Sequence, residues 1–299
     1  MQPDVVPGEL SVRAAGGRRL QVLVSGPDDG LPLVFHSGTP SGLVAFGPMV
    51  AAAAARGLRT VMYARPGYGT STPDPGRQVA DAAMDVAAVL DELGAGHFVT
   101  AGWSGGGPHA LACAVLLPGR CRGAASIAGL APYGSAGIDW LAGMAGENVA
   151  EFGAALAGEP ELAAFLTAAM AEMRGITASQ VADGLGDLVS EVDKSVVTGE
   201  FANYLAASFN AAVSTGTAGW LEDDLAFVRD WGFVVDQGAP VTIWQGDQDM
   251  MVPFAHGQWL AEHVPAARAH LVAGAGHLSL AVAEFGAILD ELMSIAGLG

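Results

Sequence analysis

Short apolar runs alternate with longer helical segments at both ends of this chain, and this alternation constrains the fold more than any other feature of the sequence. Examples are Leu31–His36, "HFVTAG" beginning at His97 and "VTIWQG" beginning at Val241. Each run is almost continuously apolar, as a strand is when both faces of its sheet are covered. The sequence therefore predicts an α/β fold with a mostly parallel central sheet flanked by helices.

The alternation is interrupted in the middle of the chain. There, apolar residues recur at helical spacing, for example at Leu162 and Leu166, and no stretch predicts a strand. We therefore predict that the chain has two parts. Residues 1–130 and 238–299 form an α/β core, and residues 131–237 form a helical segment inserted into it.

The charge of the chain argues against two classes of partner. Lys and Arg number 13 against 31 Asp and Glu, which gives a formal net charge of -18. Such a chain offers no basic patch to follow a phosphate backbone, so nucleic acid is not expected as a partner. An anionic membrane surface would repel it as well. We therefore expect a small-molecule ligand.

The expected compartment follows from three observations. The first ten residues lack a basic region followed by an apolar one, and no apolar stretch reaches the length of a membrane span. Cys113 and Cys121 lie in apolar surroundings that suit reduced thiols. We expect a cytoplasmic protein without a signal peptide. The sequence leaves the oligomeric state open, and a homodimer is compatible with it.

A serine stands between glycines where a predicted strand turns into a predicted helix. Gly102-Trp103-Ser104-Gly105-Gly106 fits the motif G-x-S-x-G in the strand–turn–helix context that the motif requires. A nucleophile on so tight a turn has a strained backbone, and small neighbours avoid clashes around it. The turn also raises the hydroxyl at a helix N-terminus, whose dipole favours developing negative charge. The motif predicts Ser104 as a nucleophile.

A serine hydroxyl needs a general base before it can act as a nucleophile. Among the seven histidines, His277 is best placed, because it follows the last predicted strand. Asp247 and Asp249 follow the penultimate strand, and either could orient the histidine in the chain order Ser, Asp, His. The oxyanion needs backbone donors, for which Gly105 and the loop His36–Gly42 are candidates.

These motifs together resemble the α/β-hydrolase fold superfamily over essentially the whole chain. The resemblance is carried, in the family's order, by "FHSGTPSG", "YARPGYGTS", "GWSGGGP", "WQGDQDMMVP" and "GAGHL". It implies Ser104 as the nucleophile, His277 as the base and Asp249 as the acid, without a metal or a cofactor. It also implies the backbone amides of Thr39 and Gly105 as the oxyanion donors.

The resemblance interprets the helical segment as a cap that roofs the pocket and sets the choice of substrate. Gly38, Trp103, Trp140 and Met144 are predicted to line that pocket. Two positions depart from the family pattern. The usual His-Gly before the oxyanion residue reads Ser37-Gly38 here, and the Asp that often opens the "D-R-P-G-x-G-x-S" loop is Ala64. Since the oxyanion donor is a backbone amide, the first departure leaves its predicted role in place, and the position of Ala64 is usually not part of a serine triad.

The predicted activity is that of a serine hydrolase, which cleaves small or medium, mainly apolar carboxylic esters through an acyl-enzyme. Alternatives on the same fold are an aminopeptidase, a C–C hydrolase and a perhydrolase. An aminopeptidase needs carboxylates for the substrate ammonium, and Glu222, Asp223 and Asp224 are candidates. A further alternative is a non-catalytic small-molecule receptor that keeps the fold and the triad.

Overall fold

A computed structural model describes residues 8–298, and its centre is a single sheet. Residues 1–7, on which the expectation of no signal peptide rests, and residue 299 lie outside the described range. The strands are β1 Gly8–Arg13, β2 Arg19–Ser25, β3 Leu31–His36, β4 Leu58–Tyr63, β5 Phe98–Trp103, β6 Cys121–Ile127, β7 Val241–Gly246 and β8 Arg268–Val272.

The strands form one sheet in the order β1-β2-β4-β3-β5-β6-β7-β8. β1 and β2 form an antiparallel hairpin, and β2 also pairs antiparallel with β4. All pairs from β4 onward across the sheet are parallel. The predicted mostly parallel sheet is confirmed. Because parallel strands end at the same edge, the segments that follow β5, β7 and β8 meet there.

Helices cover both faces of the sheet, as apolar strands require. Leu111 and Leu260 are buried in the apolar layer on one face, and Leu280 and Leu289 are buried in the layer on the other. Each such side chain stabilises the fold by about 1.5–3 kcal/mol relative to an exposed one. The helices are α1 Gly47–Ala54, α2 Asp81–Glu92, α3 Gly106–Leu116, α4 Gly146–Ala157, α5 Glu159–Met173, α6 Ala178–Gly184, α7 Glu191–Val196, α8 Gly199–Ala212, α9 Ala218–Phe227, α10 Phe254–His263, α11 His277–Ala283 and α12 Phe285–Ile295. Within residues 8–298, none of them is both long and apolar enough to cross a bilayer.

The chain between β6 and β7, all of it described, contains helices α4 to α9 and no strand. In α5, Leu162 and Leu166 are fully buried, as their helical spacing predicts. Phe165 and Met173 of the same helix face a cavity above the ends of the strands. The helices thus lie over the edge where the site is expected. The exact division into residues 1–130 with 238–299 and residues 131–237 stays a prediction.

Candidate active site

Ser104 lies at the sharp turn between β5 and α3. Its φ of 57° is in the left-handed region, which costs a residue with a side chain about 1–3 kcal/mol. Two hydrogen bonds hold the turn: Ser104 N–H donates to the Ile127 carbonyl, and Gly107 N–H donates to the Ser104 carbonyl, both at 2.8 Å. A Cβ on Gly102 would strike the carbonyl of Gly106. The glycines therefore permit a close approach that the serine conformation needs.

His277 and Asp249 form the hydrogen bond expected of a base and its orienting acid. Nδ1 of His277 lies 2.8 Å from Oδ2 of Asp249, and both side chains are buried. The backbone amides of Met251 and Val252 donate to Oδ1 of the carboxylate at 2.9 and 2.8 Å. Nε2 of Gln245 donates to Oδ2 at 2.9 Å. The carboxylate is therefore held in one orientation.

Two opposing effects act on the pKa of His277. Burial lowers the pKa, but the charge and the hydrogen bond of Asp249 raise it more, so that it lies above its ordinary value. Because Nδ1 is engaged by Asp249, Nε2 is the nitrogen left to accept a proton. His277 and Ser104 line the same cavity. Transfer of the serine proton requires Nε2 within hydrogen-bond reach of the hydroxyl, and the two residues share the cavity in which that contact would form.

The competing acid and histidines have other partners. Asp247 accepts a hydrogen bond of 2.7 Å from the amide of Gly274 and so holds the turn after β8. His256 bonds backbone groups with both ring nitrogens, and Nδ1 of His109 bonds a backbone carbonyl. Burial lowers the pKa of His256 to about 4 and lowers that of His109 as well. These histidines are neutral structural groups, whereas Asp249 is the acid that reaches His277.

The predicted oxyanion donors lie beside the serine. Gly38, Thr39 and Gly105 all line the cavity together with Ser104. Within residues 8–298, neither the Thr39 amide nor the Gly105 amide donates a hydrogen bond to a protein acceptor. A Cβ on Gly38 would lie 3.2 Å from the Cβ of Ser104, so the loop passes close to Ser104. Both amides are thus free to bind an oxygen of a ligand.

A buried ion pair fixes the loop that carries Thr39. Arg65 donates to the carbonyls of Ser37 and Gly38 at 2.7 and 2.8 Å. Its charge is balanced by Asp223 of α9, 2.6 Å away, which also accepts a 2.9 Å hydrogen bond from the Thr39 hydroxyl. Sequence reasoning missed this pair. Arg65 lies inside the motif "YARPGYGTS", which was an available signal, but no local pattern marks Asp223 as its partner.

A carboxylate from the helical segment holds the residues around His277. Asp193 of α7 is buried and accepts hydrogen bonds from the amides of three successive residues, beginning with His277. Gly276 leaves room for this contact, because a Cβ there would strike the Asp193 carboxylate. Sequence reasoning missed Asp193 as well. His277 is the first residue of α11 rather than part of a loop, and Asp193 occupies the N-terminus of that helix.

The cavity above Ser104 contains about 1110 Å³ of empty space, part of it open to solvent. Gly38 and Trp103 line the cavity as predicted, but Trp140 and Met144 do not. Both are buried in the apolar core instead, where the indole N–H of Trp140 donates to a backbone carbonyl at 2.7 Å. The apolar lining includes Leu130, Phe165, Met173, Leu205, Phe209 and Phe227.

Comparison with known proteins shows to which protein family this chain belongs. A sequence profile described as alpha/beta hydrolase fold matches residues 32–283. A non-heme chloroperoxidase from Streptomyces lividans is 35% identical over 109 residues, which are 36% of this chain and 40% of that protein, so the match spans well under half of either. Among solved structures, a thermophilic esterase from Thermogutta terrifontis has a TM-score of 0.69 and 18% identity, over 97% of this chain and 99% of that one. A bromoperoxidase from Bacillus anthracis has a TM-score of 0.69 and 19% identity, over 96% of this chain and 100% of that one. The structural likenesses show the fold, and the profile match, which includes Ser104, Asp249 and His277, shows that this chain belongs to the alpha/beta hydrolase fold family.

Proposed function

We propose that this protein is a serine hydrolase that cleaves carboxylic esters, with Ser104 as nucleophile, His277 as general base and Asp249 as orienting acid. The observation that carries the proposal is the buried 2.8 Å hydrogen bond between His277 and Asp249 at the cavity that Ser104 lines. The strained turn of Ser104 supports it, because strain is retained where a function requires the conformation.

The reaction would proceed in two halves. The Ser104 hydroxyl attacks the ester carbonyl carbon while Nε2 of His277 takes its proton, and the amides of Thr39 and Gly105 stabilise the oxyanion. The tetrahedral intermediate then collapses, the C–O bond to the alcohol breaks, and His277 protonates the departing oxygen. Water next attacks the acyl-serine with His277 again as base, which releases the acid and restores Ser104. Asp249 remains ionised and keeps the imidazole in the required tautomer.

The cavity supports esters with a small or medium apolar group. Phe165, Met173 and Phe209 present apolar surface to it from the inserted helices. Burial of a hydrocarbon group there would be favourable by about 25 cal/mol per Å² of apolar surface. A serine nucleophile suits acyl transfer, since its intermediate is an ester of the serine hydroxyl. Carboxylic esters are the substrates that these two features together favour.

A perhydrolase is the second candidate, because two relatives are named a non-heme chloroperoxidase and a bromoperoxidase. In this reaction hydrogen peroxide, instead of water, would attack the acyl-serine at Ser104. The C–O bond to the serine would break, and a peracid would leave. The test is peracid formation from an ester in the presence of hydrogen peroxide, followed by bromide oxidation. Formation of acid alone, at the rate measured without peroxide, would reject this candidate.

Active-site labelling tests the principal proposal. A fluorophosphonate should form an adduct that peptide mapping assigns to Ser104, and the variant Ser104→Ala should neither label nor hydrolyse p-nitrophenyl esters. A chain-length series of these esters then measures the preferred acyl group. Ser214→Ala, which changes an exposed serine in the turn after α8, is the matched control that keeps labelling and turnover. Retained ester turnover in a clean preparation of Ser104→Ala contradicts the assignment.

A further inference from the structure

One end of the cavity is acidic. Its lining includes the carboxyl side chains of Glu147 and Glu151, one turn apart on α4, and of Asp224 on α9. Like charges four residues apart destabilise a helix, so this arrangement is unfavourable for α4 by itself. None of these carboxyl groups forms an ion pair with a basic side chain within residues 8–298.

Asp224 differs from the two acidic residues that precede it. Glu222 accepts a hydrogen bond of 2.7 Å from the amide of Gly76, and Asp223 is paired with Arg65. Asp224 is 1% exposed, and its Oδ2 receives no hydrogen bond from any residue between 8 and 298. Of the three acids that the sequence offered for an ammonium, only Asp224 therefore lines the cavity with unused hydrogen-bonding capacity.

Glu151, whose charge acts on Asp224, accepts a 2.6 Å hydrogen bond from the indole N–H of Trp220. Burial, together with the charge of Glu151, raises the pKa of Asp224. Burial also raises the pKa of Glu151. Neither carboxyl group has a basic partner within residues 8–298, so a cation bound in the cavity would supply the missing counter-charge.

We propose that Glu151 and Asp224, with Glu147 nearby, form a subsite for a protonated amine of the substrate. This inference rests on the proposed function and narrows it: the preferred esters carry an ammonium group on either the acyl or the alcohol part. The ammonium supplies the counter-charge that these carboxyl groups lack, and its N–H donates to a carboxylate oxygen. The apolar side chains that line the cavity, among them Phe165 and Phe227, then receive the hydrocarbon part of the same molecule.

An ammonium fits this subsite better than a metal ion does. Within the described part of the chain, no three His, Cys, Asp or Glu side chains are placed to share one metal ion. An ammonium needs no common centre, because its N–H can donate to one carboxylate while the other carboxylate balances its charge from nearby. The indole of Trp220 also lines the cavity, and an aromatic ring is a favourable neighbour for an organic cation.

The experiment uses isosteric pairs of esters that differ in the presence of the charge. For the acyl part, phenyl 4-(dimethylamino)butanoate is compared with phenyl 5-methylhexanoate. For the alcohol part, 2-(dimethylamino)ethyl acetate is compared with 3-methylbutyl acetate. The measured quantity is kcat/KM for the charged ester divided by kcat/KM for the neutral one, after subtraction of the uncatalysed rate. Comparing this ratio between variants cancels the intrinsic reactivity of each ester.

Glu151→Gln and Asp224→Asn should each lower the charged-to-neutral ratio of kcat/KM by about tenfold or more, since a hydrogen bond to a charged group is lost. The fall is expected in the ester pair, acyl or alcohol, whose amine reaches the subsite. Both substitutions keep the side-chain shape, and a thermal melt establishes that the variants are folded. Glu172→Gln is the matched control, because it removes the same charge from an exposed position on α5 and should leave the ratio unchanged. If the ratio equals the wild-type value in both variants and for both ester pairs, the subsite is overturned. Turnover of the neutral esters would in that case still support the proposed function.

A binding measurement distinguishes failure of the subsite from failure of the proposed function. If the wild-type protein hydrolyses none of the esters, the proposed function fails, and calorimetry then tests the subsite by itself. Ser104→Ala, with and without Glu151→Gln, is titrated with each of the two charged esters. Binding that weakens by about tenfold in the double variant supports the subsite. No binding, or equal binding in the two proteins, overturns it.

Discussion

The carboxylate of Asp193 accepts a hydrogen bond of 2.8 Å from the backbone amide of His277, so the inserted helices hold the proposed base directly. The amides of Leu278 and Ser279 donate to the same carboxylate at 2.9 and 2.8 Å. These are amides that a helix N-terminus leaves without an intrahelical partner, and a negative charge is favourable at that position. The position of α7 is thereby coupled to the position of His277.

The variant Asp193→Asn should lower both stability and ester turnover. Asparagine turns an NH₂ group toward a backbone N–H, so at least one amide of α11 loses its acceptor at a cost of about 1–3 kcal/mol. The charge of Asp193 also raises the pKa of His277, so the acid limb of kcat/KM should move to lower pH. Urea unfolding and the pH profile measure the two effects.

The matched control for this variant is Asp183→Asn, which removes an exposed carboxylate from α6 of the same helical segment. It should change neither the free energy of unfolding nor the acid limb. If Asp193→Asn loses stability but its acid limb stays in place, Asp193 only supports the fold and does not position the base.

The activity should fall on the acidic side at a pH set by His277. The base must be neutral to accept the serine proton, and Asp249 holds the pKa of His277 above its ordinary value of 6.5. The acid limb of kcat/KM should therefore lie above pH 6.5. Asp249→Asn should move the limb to lower pH and reduce the rate by about 10⁴-fold, because the imidazole loses its required tautomer. Asp247→Asn, in the same loop, is the control that should leave the limb in place.

Local patterns account for what the sequence predicted of the site. Ser104 is marked by glycines that a tight turn requires, and His277 and Asp249 follow the strands whose ends meet at one edge of the sheet. Such signals lie within a few residues of the group that they mark. The fold class could be predicted for the same reason, since each strand carries its own apolar run.

Long-range partners could not be predicted in this way. Asp193 and His277 are 84 positions apart, and their contact depends on how α7 packs against α11. Trp140 and Met144 illustrate the same limit: an apolar residue in a helical segment has the same sequence signal whether it faces a cavity or the core. Only packing decides between these two environments, and here it buries both residues in the core.

The variant Gly102→Ala should abolish labelling of Ser104. A Cβ at Gly102 would strike the backbone carbonyl of Gly106, and a backbone atom can move away only if the turn opens. The left-handed conformation of Ser104 depends on that turn. Fluorophosphonate labelling and a thermal melt measure the loss. Gly119→Ala is the control, because a Cβ there has open space around it, and full labelling of Gly102→Ala would show that the close approach is dispensable.

The buried carboxylate of Asp223 holds the loop that carries Thr39. Burial raises the pKa of Asp223, but Arg65 and Arg77 together hold it well below its usual range, so the carboxylate is ionised between two guanidinium groups. Asp223→Asn leaves both guanidinium groups buried without a counter-charge, which should destabilise the protein by about 3–5 kcal/mol. Asp290→Asn, which breaks an exposed pair with Arg56, should cost at most about 1 kcal/mol.

Kinetics then distinguishes a structural from a positioning effect of the same substitution. Arg65 holds the carbonyls of Ser37 and Gly38, so loss of its counter-charge should displace the adjacent amide of Thr39. That amide would act on the oxyanion and not on the bound ester, and therefore kcat should fall while KM changes little. Asp223→Asn assayed at a temperature where it remains folded should show this split. A rise in KM with unchanged kcat would mean that Arg65 and Asp223 shape the pocket and do not position the amide of Thr39.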